Sequence, residues 1–339
     1  MGIAAVVPSA DRVNLLNIAL MVVSCAVALV VPFELFLFSY AVLGPAHYLT
    51  EISWLEKRSF FTRGRWDALL LLLLAVLVFL TGPPAGQTHN FSMALFTALA
   101  LGSGLVLVLT AKAGPRLAGL AAVLVLAYAL LNTFGFLAAM MALFVPTLIH
   151  VYVFTGFFMI FGALKERSRS GYLAFAVFLA CPLICWLVPV IKLKLSPYVV
   201  VSYWKTFSLL NLTLLGLDYP TNRSEGGAAG VALFESAAGV AVMRVIAFAY
   251  TYHYLNWFSK TSIIRWHEVG TPRLTAITAL WVASVGLYLY DYSLSVKVLL
   301  FLSLTHVYLE FPLNHISIMG TFREVKSRWS GPVAAAPVR

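Results

Sequence analysis

Residues 303–316 read SLTHVYLEFPLNHI, a histidine and carboxylate pair set in an otherwise apolar run. His306 and Glu310 are four residues apart, so a helix carries both on one face, about 6 Å apart along its axis. The same spacing recurs at His47 and Glu51 in the stretch HYLTE. Two further histidines, His150 and His253, also sit in apolar runs, each with a tyrosine one or two residues on. An ionisable side chain in such surroundings is costly and ordinarily faces a partner, a cavity or a metal.

The rest of the chain explains what these surroundings are. Of its 339 residues 61% are hydrophobic and only 11% charged, with a mean hydropathy of +0.92, whereas soluble domains carry roughly 25% charge. The composition is that of an all-α, polytopic integral membrane bundle. The net charge of +10 does not signal a nucleic-acid partner, because the lysines and arginines fall mostly in short connections between apolar runs and form no basic domain. Cys25, Cys181 and Cys185 lie in apolar segments, so they read as packing residues and not as a disulfide framework. Arg12 before an apolar run mimics a signal peptide, but the run continues into a second span and reads as a first transmembrane helix.

Apolar runs and turn signals predict about ten spans, at 13–32, 33–55, 66–81, 91–110, 117–131, 136–164, 172–191, 231–257, 274–290 and 293–319. The connections after the even-numbered spans hold most of the basic residues, which places them and both termini in the cytoplasm, in a multi-pass protein of the cell membrane. Residues 192–230 form an extracytoplasmic connection, in which 207–217 is apolar but too short to span and reads as an interfacial or re-entrant helix. Residues 320–339 read as a basic cytoplasmic tail. His47, His150, His253 and His306 then all lie on spans running the same way. Counting about 1.5 Å per residue back from the first cytoplasmic base puts His253, His315 and His47 at roughly 10–15 Å and His150 and His306 at roughly 22–25 Å. One compact site therefore requires tilted or broken helices, and Gly44, Pro45, Pro146 and Pro312 beside the histidines supply candidate breaks. His47-Tyr48-Leu49 and His253-Tyr254-Leu255 hint at a distant duplication, on three residues only.

A lone intramembrane histidine is ordinarily a hydrogen-bonded packing residue. Four on spans of one direction, two with a carboxylate at i+4, point to a site. Imidazole and carboxylate form the ligand set of zinc or non-haem iron, and the spacing lets one helix supply two ligands. The expected metal ligands are His47, Glu51, His150, His253, His306 and Glu310. His315 is a seventh ligand or a proton-transfer group; Tyr308, with Tyr48, Tyr152 and Tyr254, is a hydrogen-bond donor or proton carrier; Arg244 binds an anion or pairs with a carboxylate. Asn256 and Asn314 are supporting amides. Glu235 falls at the outer end of its span, His267 and Glu268 in a cytoplasmic loop, and His89 in an external turn.

No H-E-x-x-H, G-x-S-x-G, G-x-G-x-x-G or Walker motif is present, so an ATP-driven pump is not expected. In its logic the pattern resembles integral-membrane iron oxygenases, namely the desaturase and hydroxylase families and the bacterial carotene-cleaving membrane proteins, which use histidines in or beside the membrane on apolar lipids. The H-x-x-x-H and H-x-x-H-H boxes of desaturases are missing, His47/Glu51 and His306/Glu310 stand in their place, and no residue role is carried over. The expectation is a membrane oxidoreductase with non-haem iron, one or two ions, acting on an acyl chain, isoprenoid or carotenoid, with the bilayer, a hydrophobic small molecule and an electron-donor protein as partners. Zinc-dependent lipid hydrolysis is the nearest variant. A proton- or metal-coupled transporter, a haem-binding electron-transfer subunit and a purely structural subunit are the alternatives from other classes.

Overall fold

The computed structural model describes residues 10–81, 91–190, 193–220 and 222–329. His89, the turn at Pro83, Pro84 and Gly86, Lys192 and the last ten residues of the tail lie outside them. Among the described residues all regular secondary structure is helical, without a strand. In chain order the helices are α1 (Ala10–Val30), α2 (Pro32–Phe38), α3 (Gly44–Glu56), α4 (Asp67–Thr81), α5 (Phe91–Leu109), α6 (Ala113–Thr133), α7 (Gly135–Ala139), α8 (Thr155–Glu166), α9 (Arg169–Leu187), α10 (Pro197–Leu214), α11 (Arg223–Phe234), α12 (Ala237–Ser259), α13 (Thr261–Ile264), α14 (Thr271–Tyr290) and α15 (Tyr292–Trp329). Two π-helical segments, Ser39–Leu43 and Met140–Phe154, join α2 to α3 and α7 to α8.

Seven helical stretches among the described residues are long and apolar enough to cross a membrane, and α11 with α12 makes an eighth if that pair, bent by 63°, is one span. Of the remaining expected spans, 66–81 is the 15-residue α4 and 33–55 is divided by the first π segment. Large apolar side chains such as Leu15, Val22, Leu73, Val125, Leu183 and Val282 point outward, as expected where hydrocarbon is the solvent. In α6 only Leu131 is buried, so this helix is peripheral. Residues 207–214 of the apolar stretch at 207–217 belong to the longer α10, whose Ser196 cap accepts from Val199 N–H and whose first residue is Pro197, a usual start signal.

The break between α11 and α12 falls at Glu235 and Ser236. Ser236 caps α12 by accepting from Gly239 N–H at 2.9 Å, and a Cβ on Gly239 would collide with the Ala232 and Leu233 carbonyls. The bend thus needs glycine there. Helix α12 is the buried centre of the bundle, enclosed from Gly239 to Trp257 apart from Val245 and Leu255. One core gathers α1, α2, α9, α10 and α12, and a second gathers α3, α4, α5, the second π segment and α15. The candidate site lies on the seam between them.

Helix α15 runs 38 residues, about 57 Å, against a hydrocarbon core of about 30 Å. It passes Gly320 and carries the first part of the expected basic tail as helix; Arg328 donates to Tyr172 Oη and to the Leu164 carbonyl, so this part is docked on α8 and α9.

Candidate metal centre

Four elements each deliver one histidine: His47 from α3, His150 from the second π segment, His253 from α12 and His306 from α15. All four are buried, and one ring nitrogen from each lies within 4.8 Å of those of the other three. His253 Nε2 and His47 Nε2 are 3.0 Å apart, and His150 Nε2 and His306 Nε2 are 3.2 Å apart. The two depth tiers expected from counting residues are absent. That count presumed straight helices ending at the first base, whereas π segments interrupt the spans of His47 and His150 and α15 runs far beyond the length of one span.

The local sequence explains the convergence. Proline has no N–H to give, so Pro45 and Pro146 leave the ladder irregular, and π turns accommodate this at functional sites. Other side chains tie the irregular backbone down: Trp281 Nε1–H donates to the Val42 carbonyl at 2.9 Å and Tyr292 Oη–H to that of Leu37 at 2.9 Å. Gly44 lets α3 approach α12, since a Cβ there would stand 3.3 Å from Tyr254 Oη. Ser39 and Thr251 share a hydrogen bond of 2.8 Å, and Trp257 Nε1–H donates to Thr50 Oγ1 at 3.0 Å. These ties bracket His47 and His253 on both sides and fix the rotation of α3 against α12.

The two carboxylates stand beside the histidines in different ways. Glu51 Oε2 is 3.1 Å from His47 Nε2, the nitrogen that faces His253. Glu310 Oε2 is 3.1 Å from His150 Nδ1, the nitrogen opposite the one that faces His306. Glu310 therefore orients a ligand ring, and Glu51 sits at the edge of the cluster itself. Glu51 and Glu310 also meet each other across the cavity. Thr155 Oγ1, 2.9 Å from His253 Nδ1, does for His253 what Glu310 does for His150. Thr155 carries no signal of this role in the sequence, because a threonine in an apolar run is ordinarily a helix-packing residue.

Three expected site residues are elsewhere. Tyr308, two positions beyond His306 and so on the far side of α15, hydrogen-bonds Thr97 Oγ1 on α5 at 2.6 Å. Arg244 is paired with no carboxylate among the described residues; it donates to the Val188 carbonyl at 2.8 Å and to that of Pro189, serving the free carbonyls past the end of α9. His315 meets the Leu101 carbonyl at 2.8 Å, which makes it a tie between α15 and α5. Tyr152 donates to the Phe178 carbonyl, while Tyr48 and Tyr254 lie against the rings of His306 and His47. Asn256 lines a cavity beside the cluster, and buried Asn314 has neither side-chain atom hydrogen-bonded.

The donor set fits a metal ion. With metal–nitrogen bonds of about 2.1 Å, adjacent donors stand about 3.0–3.4 Å apart, the spacing of the two closest nitrogen pairs. Glu51 Oε2, at the edge of the Nε2 cluster, is buried without a hydrogen bond, a costly state for a polar atom that a cation held there would relieve. Two buried carboxyl groups face the four imidazoles, with no lysine or arginine paired to them among the described residues; ionised, they would balance the charge of a divalent cation. No thiolate enters the set, since Cys25, Cys181 and Cys185 group between α1 and α9. With ring centroids 4.6–5.4 Å apart among neighbouring pairs, the imidazoles fill the space a porphyrin plane would need.

Two cavities meet the cluster from different sides. The larger, about 490 Å³, touches His150, His253 and His306 and is walled by aromatic and aliphatic side chains including Phe36, Tyr40, Phe207 and Tyr250. The smaller, about 220 Å³, touches His47 and His253 and holds Glu51, Glu310, Asn256 and Lys260. Burial pushes the Lys260 ammonium, just past the end of α12, down to about 8 from 10.5, against the opposing pull of Glu166. The chain matches no family model, no curated protein and no solved structure.

Proposed function

We propose that the protein is a multi-pass cell-membrane oxidoreductase in which His47, His150, His253 and His306 hold one non-haem iron, with Glu51 at its edge, acting on a lipid-soluble hydrocarbon substrate. The observation that carries this reading is the 490 Å³ apolar chamber ending on three of the four histidines, within the about 300–1,000 Å³ range of ligand pockets. A bound iron with open coordination positions would supply dioxygen binding and activation. The chain's own residues do the rest. Glu310 and Thr155 hold the rings of His150 and His253 through Nδ1, which leaves Nε2 for the metal. The chamber wall orients the hydrocarbon and keeps water from the oxidised carbon. Hydroxylating one C–H bond with dioxygen takes up two electrons and two protons and releases one water, so an electron-donor protein is the expected partner; the smaller cavity with Glu51, Glu310 and Asn256 is the polar route for the protons.

In this reading about ten segments cross or enter the membrane, with α4 and the divided α2–α3 stretch counted among them. Basic connections and both termini face the cytoplasm, 192–230 lies outside, and the smaller cavity opens inward. A second reading draws on the same pair of cavities: openings on two faces of a histidine cluster also suit passage of a metal ion.

The test is oxygen uptake by purified, iron-loaded protein in lipid nanodiscs, supplied with a reductant and with long-chain acids, alkenes or isoprenoids. Substrate-dependent uptake, with label from ¹⁸O₂ in the product and loss in His306→Ala, is expected. Iron-loaded protein that consumes no oxygen with any of these but carries metal across vesicle membranes would overturn the oxidoreductase reading.

A further inference from the structure

The large chamber has a charged end. Its wall holds no acidic residue and one cation, Lys297, which lies near the start of α15, exposed at the chamber rim. Lys297 makes no hydrogen bond or ion pair with another described residue. Its place is not explained by helix stability, because a cation near a helix N-terminus opposes the macrodipole. Nine residues separate Lys297 from His306 on the same helix, about 13 Å along the axis, and Leu300, Ser303 and Leu304 line the wall between them. Thr206 of α10 also lines the chamber, although it donates to the Ser202 carbonyl at 2.6 Å.

We infer that the chamber binds a long-chain monocarboxylate, its carboxylate on Lys297 and the middle of its chain at the histidine cluster. A single ammonium matches a single negative charge. The apolar wall between the ends matches an unsubstituted alkyl or alkenyl chain, whose burial supplies most of the affinity. The axial offset places the cluster beside mid-chain carbons and well away from those next to the carboxylate. This inference names the substrate class of the site proposed above and rests on the chamber belonging to that site, while the binding itself does not depend on the bound metal or on oxidation.

Binding of radiolabelled oleate to the purified full chain in nanodiscs, against methyl oleate and oleyl alcohol, tests it. The wild type should prefer oleate. Lys297→Met should lose that preference by on the order of tenfold with methyl oleate binding unchanged, and Lys297→Arg should keep it. Leu304→Trp, which fills the chamber, should weaken both ligands and so separates chamber binding from a surface site. Equal binding of oleate and its ester by the wild type, an intact preference in Lys297→Met, or displacement of oleate by an equal amount of phosphatidylglycerol would overturn the inference. Preferential oleate binding without oxygen uptake would leave it standing and overturn only the oxidoreductase reading; in a competent enzyme, mass spectrometry should find the new oxygen mid-chain.

Discussion

Replacing Thr155 with valine keeps the shape and the β-branch and removes one hydroxyl, 2.9 Å from His253 Nδ1. A metal on Nε2 leaves Nδ1 protonated, so Thr155 Oγ1 accepts from Nδ1–H in the loaded protein. Valine leaves that buried donor without a partner, which costs about 1–3 kcal/mol, or roughly 5- to 150-fold in an equilibrium constant. Loss of such a supporting partner weakens metal binding about 10- to 100-fold in other sites, and we expect Thr155→Val to fall in that range. The assay is competition for iron(II) or zinc(II) against a chromophoric chelator, with Thr155→Ser as the variant that restores the hydroxyl. The rise in melting temperature on metal loading should shrink in the valine variant and recover in the serine one. Wild-type affinity in Thr155→Val, in protein that melts cooperatively, would refute the assignment of His253 as an Nε2 ligand positioned by Thr155.

Arg244→Met should lower the stability by about 1–3 kcal/mol, because the carbonyls past α9 lose a buried charged donor, and should leave metal content unchanged; thermal melts and metal analysis on the same sample check both. Lys260 gives a pH signature. Its folded pKa is about 8 and its ordinary value 10.5, so between the two the unfolded chain binds more protons and stability rises with pH. The cost of burying the charge is fully present below about 8 and relieved as pH climbs towards 10.5. The melting temperature of the wild type should follow that climb, and Lys260→Met should flatten it.

Much of this molecule can be read from its residues. Long apolar runs fix a helical membrane fold because a chain in hydrocarbon must satisfy its own backbone, and a histidine inside such a run is conspicuous for the same reason. His47, His150, His253 and His306 were therefore legible one by one. Their convergence was not, because it depends on helix rotation and on backbone irregularities: the π turns around Pro45 and Pro146, the glycine-dependent bend at Ser236, and the extra length of α15. The same limit governs the misplaced residues. Tyr308 stands within two positions of His306, yet two positions on a helix is the wrong face. Arg244 is costly to bury, as expected, but its partners are the carbonyls of Val188 and Pro189, past the end of a helix far away in sequence. Glu310 was legible as a neighbour of His306, whereas its contact is with Nδ1 of His150, on another element.

The central claim is that four histidines from four elements bind one metal ion. Its most direct test is metal analysis of the detergent-purified protein by mass spectrometry, wild type beside His306→Ala, with an optical spectrum of each sample. About one iron per chain is expected in the wild type, with no haem band and with loss of the metal in a His306→Ala protein that remains folded. Folded wild type that binds no metal after exposure to iron(II) or zinc(II), or His306→Ala that retains the full complement, would contradict it.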